Sequence, residues 1–283
     1  MDFKKGYKTK PLFVREDGTV VFTTTGTNQV KANQKTCEAY GYTYNPRTNV
    51  CTAFKSSSRV SRISKNTTNI VGGTGIVTGT GTEKTLISGQ KHRTDGDNLN
   101  DFITGYDHTI SEGINNASII GGTMGVVTRQ GEILQGCGVG TFDSPVGTSQ
   151  RSVVMGYNRT SSASAVELYI QGDSTSHILQ RENSILGFEA YVIGLVVGGS
   201  AGTAGEFIYV KEFGSNRKAT DGTMTLARSQ EAITNNGDID HTIIMTAHAD
   251  KYLYISATGA TNVSMEWSCT VYIHEIYTNT TEF

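Results

Sequence analysis

The strongest constraint in this sequence is a repeat in which an aliphatic residue is followed two positions later by glycine. Four such pairs follow one another at intervals of sixteen residues: Val71–Gly73, Ile87–Gly89, Ile103–Gly105 and Ile119–Gly121. Leu134–Gly136 and Val154–Gly156 continue the pattern with drift. A unit of sixteen residues is too short for two-helix repeats, which need roughly thirty or more, but it accommodates one coil of short strands. The repeat predicts a β-solenoid or β-roll; a β-meander with glycine turns is the alternative.

Each predicted coil has an inside and a corner. Glycine is expected at the corners because it accepts positive φ, and the aliphatic residue beside it is expected to face inwards. His92 and His108 are also sixteen residues apart. They therefore occupy equivalent positions in consecutive coils, where stacked side chains are favoured over a metal site.

The composition and the polar stretches divide the chain into three parts. With 33 Gly and only 3 Pro in 283 residues, the chain reads as all-β, and its length suggests about two domains. Polar stretches at Ser56–Arg62 and Thr160–Ser164 are predicted junctions. The predicted parts are a small mixed N-terminal anchor (residues 1–60), the glycine-rich repeat shaft (61–158) and a C-terminal domain (159–283).

Two of these parts have internal patterns. In the first part, a hairpin is expected from Leu12–Arg15 to Thr19–Thr24, followed by a short helix over Ala32–Tyr40. The third part contains about seven short strand candidates separated by Gly, Asn and Ser turns, which predicts a β-sandwich of jelly-roll type. The strand candidates are Val166–Ile170, Phe188–Val197, Phe207–Lys211, Met224–Ala227, Thr242–Ala247, Tyr252–Ala257 and Val263–Ile276.

The four cysteines are at positions 37, 51, 137 and 269, without a CxxC motif, so zinc is not expected. Cys37 and Cys51 bracket a segment with an Asn-Pro-Arg turn and are either a disulfide or two free thiols. Cys269 lies in a run of period-two alternation that places it with Trp267 on one buried strand face.

Charge is distributed unevenly along the chain. Residues 1–65 contain 12 Lys and Arg and 4 Asp and Glu, a net +8, so the remainder carries −10 of the total −2. The basic segment is interpreted as an anchor that docks on an acidic partner, with a solvated surface as the alternative. Nucleic acid is not expected as a partner, because the basic residues are scattered rather than interleaved with stacking aromatics.

The sequence shows no membrane or secretion signal. No stretch of about 18 apolar residues is present, and the basic start lacks the apolar core of a signal peptide. We therefore expect no membrane partner and folding in a cytoplasm.

Motifs that carry chemistry are scarce. The six histidines show no metal-ligand spacing, and no serine lies in a GxSxG motif. No catalytic, cofactor or metal residue is assigned, and the chain is predicted not to be an enzyme. The alternative rests on Asp95, Asp97 and Asp101, since paired carboxylates cleave polysaccharides, although Asp-Gly-Asp-Asn is also common in turns.

Two segments resemble known proteins. The run Gly105–Gly122 resembles the coils of trimeric adhesin heads and of bacteriophage fibre shafts, and the run Asp250–Glu275 resembles the last strands of β-domains that cap such fibres. The resemblance implies a tailed-phage tail or head fibre. Cellular adhesins of this type carry a signal peptide and a membrane anchor, which this sequence lacks, so a virion protein assembled in the host cytoplasm is expected.

A homotrimer is expected on energetic grounds. One or two inward aliphatics per coil bury too little surface, at about 25 cal/mol per Å², to offset roughly 1–2 kcal/mol of backbone entropy per residue. Three coils packed around an axis would supply the missing core.

The sequence thus predicts a virion structural protein. Residues 1–60 would bind other virion proteins, and the C-terminal domain would bind a host-surface glycan or protein. The expected contacts lie in loops spanning Gly198–Gly205, Gly214–Gly222 and Asn235–Asp240, because binding residues concentrate on loops. The candidate contact residues are Ser200, Thr203, Ser215, Asn216, Asn235 and Asn236. The alternatives are a polysaccharide-degrading spike enzyme and a purely stabilising capsid-decoration protein.

Overall fold

The computed structural model describes residues 3–15, 18–46, 48–53, 69–137, 147–237, 239–248 and 251–278. The chain divides into two compact units, Met1–Arg62 and Ile63–Phe283. Among the described residues, no helix is long and apolar enough to cross a membrane. The predicted junction at Ser56–Arg62 lies outside the described residues.

The first unit is a small mixed fold. Its elements are β1 (Lys10–Val14), β2 (Val20–Thr23), α1 (Gln34–Ala39), β3 (Thr43–Asn45) and β4 (Val50–Thr52). The predicted hairpin is confirmed, because β1 and β2 pair antiparallel. The predicted helix is confirmed over a shorter range, with the Asn33 side chain accepting a hydrogen bond from the backbone N–H of Thr36 at its N-terminus.

Cys37 and Cys51 form a disulfide with a Cα–Cα distance of 5.7 Å. The bond joins α1 to β4 and lies in a core that includes Phe22. Of the two alternatives left by the sequence, the structure contains the disulfide.

The second unit begins with a β-solenoid of about four turns. One face contains β5 (Ile70–Thr74), β7 (Leu86–Gln90), β9 (Phe102–Tyr106), β11 (Ser118–Thr123) and β13 (Ile133–Cys137). A second face contains β6 (Val77–Thr78), β8 (Arg93–Thr94), β10 (Thr109–Ile110) and β12 (Val126–Val127). Within each face, neighbouring strands are parallel. The all-β class and the solenoid are therefore confirmed.

The strand register reproduces the sequence repeat. Val71 pairs with Ile87, Ile87 with Ile103 and Ile103 with Ile119, with each step sixteen residues long. In the fourth coil the register shifts, so that Gly122 rather than Gly121 lies opposite Gly136. The extension of the repeat to Val154 and Gly156 is wrong, since these residues lie in an antiparallel strand that follows the solenoid.

The glycines of the repeat do not sit at the corners. They lie near the end of the first strand of each coil, where the backbones come so close that a Cβ on Gly89 would lie 2.2 Å from the carbonyl oxygen of Gly105. One set of corners carries Lys84, Asn100 and Asn116, which adopt positive φ of 51°, 61° and 58°. Asparagine tolerates this conformation because its short side chain bonds locally, which explains two of the three positions.

The solenoid leads into a two-sheet C-terminal part. Its strands are β14 (Ser149–Thr160), β15 (Ala165–Glu167), β16 (Tyr169–Ile170), β17 (Ile178–Leu179), β18 (Ser184–Gly198), β19 (Phe207–Lys218), β20 (Met224–Asn236), β21 (Thr242–His248), β22 (Tyr252–Thr258) and β23 (Ser264–Tyr277). In the large sheet the strand order is β20-β19-β18-β23-β14. Because β14 also pairs with β13, this sheet continues into the first face of the solenoid. Together with β16, which pairs with β14, the continuous sheet has eleven strands. The small sheet contains β15, β22 and β17, with β21 paired to β22.

The two sheets enclose the main hydrophobic core. Trp267 and Cys269 are buried in it, as the alternation in β23 predicts. Several strands are longer than predicted, because β18 and β19 pair without interruption from Ser184–Lys218 to Leu195–Phe207. The structure shows a two-sheet antiparallel arrangement; jelly-roll connectivity and the trimer stay predictions.

A buried ionic network joins the last coil to the C-terminal part. The guanidinium of Arg129 donates to Glu132 at 2.7 Å, to Glu275 at 2.8 Å and to the carbonyl oxygen of Leu179 at 2.6 Å. Arg181 also pairs with Glu275, at 3.2 Å. The neighbouring guanidinium groups outweigh burial and lower the pKa of Glu275 to about 2.

Candidate functional site

A cluster of aromatic and acid–base side chains lies on the outward face of the small sheet. Strands β21 and β22 form an antiparallel hairpin in which Leu253, Ile255 and Ala257 point into the core. Because side chains alternate across a strand, Tyr252 and Tyr254 point outwards. His248 pairs directly with Tyr252 and shares that face.

The rings are arranged around Tyr252. The imidazole of His177 stacks on it with centroids 3.8 Å apart, and His248 stacks on it at 4.8 Å. Since His248 and His177 come from strand regions on either side of β22, the tyrosine lies between the two histidines. Tyr254 and Tyr169 approach edge-on, at 6.1 Å from Tyr252 and 5.3 Å from His177 respectively. Edge-on and offset-stacked pairs are the favoured aromatic geometries, so the cluster holds its own shape.

One carboxylate is part of this cluster. Glu167 Oε2 lies 2.8 Å from His177 Nε2, and the two side chains are 28% and 15% exposed. Both groups are therefore fixed in place and still open to solvent. Partial burial, followed by the charge of Glu167, raises the pKa of Tyr169 and of Tyr252. Both phenols consequently stay protonated and can donate hydrogen bonds at neutral pH.

We call this cluster the aromatic ledge. Its members are Glu167, Tyr169, His177, His248, Tyr252 and Tyr254. Aromatic ring faces and edges favour the C–H faces of a flat polar ligand, while hydroxyl, imidazole and carboxylate groups pair with its hydroxyls. The ledge thus combines packing surface and fixed hydrogen-bonding groups in the way that ligand sites do.

The structure separates the six candidate contact residues. Ser200 and Thr203 are exposed in the loop between β18 and β19, and Asn235 and Asn236 are exposed at the end of β20. These four residues lie at one end of the large sheet, because Asn236 pairs with Phe207.

The other two candidate contacts, Ser215 and Asn216, lie within β19. This strand continues to Lys218, so the loop predicted over Gly214–Gly222 is shortened to the turn that follows Lys218. Ser215 is exposed. Asn216 is buried, and its amide donates to Gln180 Oε1 at 2.6 Å. The expectation that Asn216 contacts a receptor is therefore wrong, since that side chain faces the core.

Asp101 is separated by burial from the other two aspartates singled out by sequence, Asp95 and Asp97, which are exposed. Asp101 is buried inside the solenoid, where one oxygen accepts a hydrogen bond from the backbone N–H of Ala117 at 2.8 Å. Burial raises its pKa to about 7. Asp95 pairs with Arg93 on the surface. A carboxylate pair built from Asp101 and these turn residues is not formed.

Sequence reasoning missed the ledge. The motif Tyr252-Leu-Tyr254 on an alternating strand was a usable signal, because it places two aromatic rings on the face opposite the core. Glu167 and His177 gave no signal, since their approach depends on how β15 and the segment before β17 pack beside β22.

Comparisons with known proteins add structural likenesses only. No family model matches the chain, and no curated protein matches it. The chain is similar to a solved tailspike, gp49 of Acinetobacter baumannii bacteriophage Fri1, described as a capsular polysaccharide depolymerase, with a TM-score of 0.31 and 8% identity over 67% of this chain. It is also similar to the tailspike of Acinetobacter baumannii phage AM24, with a TM-score of 0.25 and 7% identity over 72% of this chain. A tailspike of another Acinetobacter phage gives a TM-score of 0.20 and 8% identity over 69% of this chain.

The matched region spans 39%, 49% and 47% of those three tailspikes, less than half of each.

The prediction that this protein is not an enzyme is contradicted here, because the first of these structures is a depolymerase. That prediction is not retained.

Proposed function

We propose that this chain is a subunit of a homotrimeric phage spike that binds a polysaccharide of the host cell surface. The observation that carries the proposal is the aromatic ledge, a preformed cluster of five rings with a carboxylate, held on a rigid β-sheet. A polysaccharide offers what such a surface binds, namely C–H faces for the rings and hydroxyls for the polar groups. The solenoid supports the proposal, since a coiled shaft with one ligand site per copy suits repeated binding to a polymer.

The remaining parts of the proposal concern assembly. Residues 1–60 would attach the spike to other virion proteins, and the separate N-terminal unit and its basic charge support that role. The exposed residues Ser200, Thr203, Asn235 and Asn236 would form a second contact surface. The particle would be assembled in the host cytoplasm.

The proposal is tested by binding to a panel of purified bacterial capsular polysaccharides. Replacing Tyr254→Ala removes one ring of the ledge, and we expect roughly a ten-fold loss of affinity, since a truncated aromatic anchor costs about 1–2 kcal/mol. The control is Tyr106→Ala, which removes a tyrosine of the solenoid that packs against Lys91.

Equal weakening by both variants would contradict the role of the ledge. A native protein that binds no polysaccharide in the panel would instead support the capsid-decoration alternative.

Cleavage of the bound polysaccharide is a second candidate function. It is favoured by the Glu167–His177 contact, because a carboxylate and an imidazole at 2.8 Å can exchange and deliver protons beside a bound sugar. Tyr169, whose pKa is raised by partial burial and then by the charge of Glu167, packs edge-on against His177 beside this pair. These are the groups that general acid–base chemistry uses.

Glu167→Gln tests this second function. It preserves the shape of the side chain and removes the proton acceptor, so we expect release of new reducing ends to fall by about 10²-fold or more, with binding less affected. Glu266→Gln is the control, since Glu266 pairs with Arg159 on the surface. If native protein binds a polysaccharide but leaves its length unchanged, cleavage is ruled out and binding stands.

A further inference from the structure

The outward face of the large sheet carries exposed apolar side chains along much of its length. This face is defined here as the side of the eleven-stranded sheet opposite the core, and it runs without interruption from the solenoid to β19. In the described residues of the second unit, fifteen large apolar side chains are exposed, and twelve of them lie on this face. In the solenoid they include Ile70, Phe102 and Ile120, and beyond it Met155, Ile193 and Leu195. Val77 and Leu179 lie on other sheets, and Ile233 lies at a bulge in the edge strand β20.

The end of β18 departs from the pattern of a solvated antiparallel sheet, which alternates apolar residues inside with polar residues outside. In β18, the inward residues Val192 and Val196 are buried as expected, but the outward Ile193, Leu195 and Val197 are apolar as well. A strand that is apolar on both sides is typical of a sheet covered on both sides.

The summed accessible area of these twelve apolar side chains is similar to the area that one partner buries in a stable interface. A half-exposed large side chain leaves on the order of 80 Å² accessible, so twelve leave on the order of 900 Å². Standard protein interfaces bury about 800 Å² on each partner. Monomeric proteins rarely expose a patch larger than a few hundred Å².

The centre of the face is concave and mixed in character, with three tyrosines beside Arg151, Glu189 and His274. Tyr191, Tyr209 and Tyr272 line a concavity of about 540 Å³. Lys211 lies over the Tyr191 ring at 5.5 Å and pairs with Glu189 at 3.2 Å. Aromatic residues are enriched in interfaces, and the intramolecular pairing of these charges lowers the cost of covering them.

We infer that this outward face is the surface through which copies of this chain pack together. We take the partner to be a second copy of this chain. The exposed apolar side chains lie first on solenoid coils spaced by about 4.8 Å and then on a long antiparallel sheet. A partner that covers it throughout must repeat at the same spacing over the same length, and another copy of the chain does so. The inference rests on the self-association in the proposed function and assigns its surface.

The face is tested by cysteine labelling of the full chain. Ile193 and Leu179 are both 46% exposed in a single chain, but Ile193 lies on the outward face and Leu179 on the small sheet side. Ile193→Cys and Leu179→Cys are each treated with a maleimide, and the labelled peptide is quantified by mass spectrometry. We expect at least ten-fold slower labelling at position 193 in native protein and equal rates in urea. Equal rates in native protein of multi-chain mass would overturn the assignment of this face.

A matched pair in the solenoid tests the same face by mass. Ile120 is 53% exposed on the outward face, and Val77 is 59% exposed on the other solenoid face. By light scattering, Ile120→Asp should reduce the particle towards the 30.4 kDa of one chain, whereas Val77→Asp should leave the native mass. Equal behaviour of the two folded variants would count against the inferred face.

The two tests also separate this inference from the proposed function. A native protein of single-chain mass would overturn self-association and the face together. Polysaccharide binding is measured independently through Tyr254→Ala, so its loss or survival does not depend on either labelling result.

Discussion

Asp101 and His108 are buried in the solenoid, and they change the stability of the protein in opposite directions as pH changes. The rings of His92 and His108 stack at 5.3 Å with an interplanar angle of 1°, which confirms the stacking predicted from their spacing. The Nδ1 atom of His108 accepts a hydrogen bond from the backbone N–H of Gly125 at 2.8 Å, so the ring is held neutral. Burial, followed by the neighbouring His92, lowers the pKa of His108 to about 4, whereas burial raises the pKa of Asp101 to about 7.

The signs of the two effects differ. His108 is harder to protonate in the folded chain than in the unfolded chain, so its contribution is complete above pH 6.5 and is lost as pH falls towards 4. Asp101 is harder to ionise when folded, so its contribution is present below pH 3.8 and is lost as pH rises to about 7. Between pH 7 and pH 5, each changes the free energy of unfolding by about 2 kcal/mol, in opposite directions.

Single substitutions should expose this compensation. We expect Asp101→Asn to make the protein lose stability on going from pH 7 to pH 5, and His108→Asn to make it gain stability, each by about 2 kcal/mol relative to the native dependence. Urea unfolding at the two pH values measures both. Parallel pH profiles for the two variants would contradict the assignment of these groups.

At the scale of elements, the repeat was readable because each coil uses the same residue type at the same register. Ile87, Ile103 and Ile119 are fully buried one above another, so their spacing in sequence equals their stacking in space. The role of the glycines was less accessible. A glycine can permit a turn or a close approach of two backbones, and the neighbouring coil decides which. The contact of Gly89 with Gly105 shows that these glycines permit a close approach.

The candidate site was harder to predict for a related reason. Glu167, His177 and Tyr252 come from three separate segments, and no local period links them. Their meeting depends on the antiparallel register across β15, β17 and β22, which is determined by the packing of the whole two-sheet part. Asn216 illustrates the same limit, because a polar residue two positions after a glycine suggests a loop, whereas in the fold its amide donates to Gln180.

At the scale of the whole molecule, Arg129 links the solenoid to the two-sheet part that carries the ledge. It is fully buried, and its partners lie in the last coil, at the end of β17 and in β23. Because the ion pairs cross from one part to the other, we expect the solenoid and the two-sheet part to unfold in one transition.

Removing this arginine should be costly. Arg129→Met leaves Glu132 buried without its charged partner and Glu275 with Arg181 alone, which we expect to lower the free energy of unfolding by about 3–5 kcal/mol. Arg159→Met, which breaks an exposed pair with Glu266, should cost less than about 1 kcal/mol. Urea unfolding followed by circular dichroism compares the two. Similar losses, or a separate early transition in native protein, would show that the network does not couple the two parts.

The close packing of Gly73, Gly89 and Gly105 at the strand ends also limits how the shaft can change in length. Adding or removing one residue within a strand would place a side chain where only a hydrogen atom fits, and would turn the buried isoleucines outwards. A whole coil inserted in register preserves both. The solenoid can therefore change in length only in steps of sixteen residues, each of which extends it by about 4.8 Å.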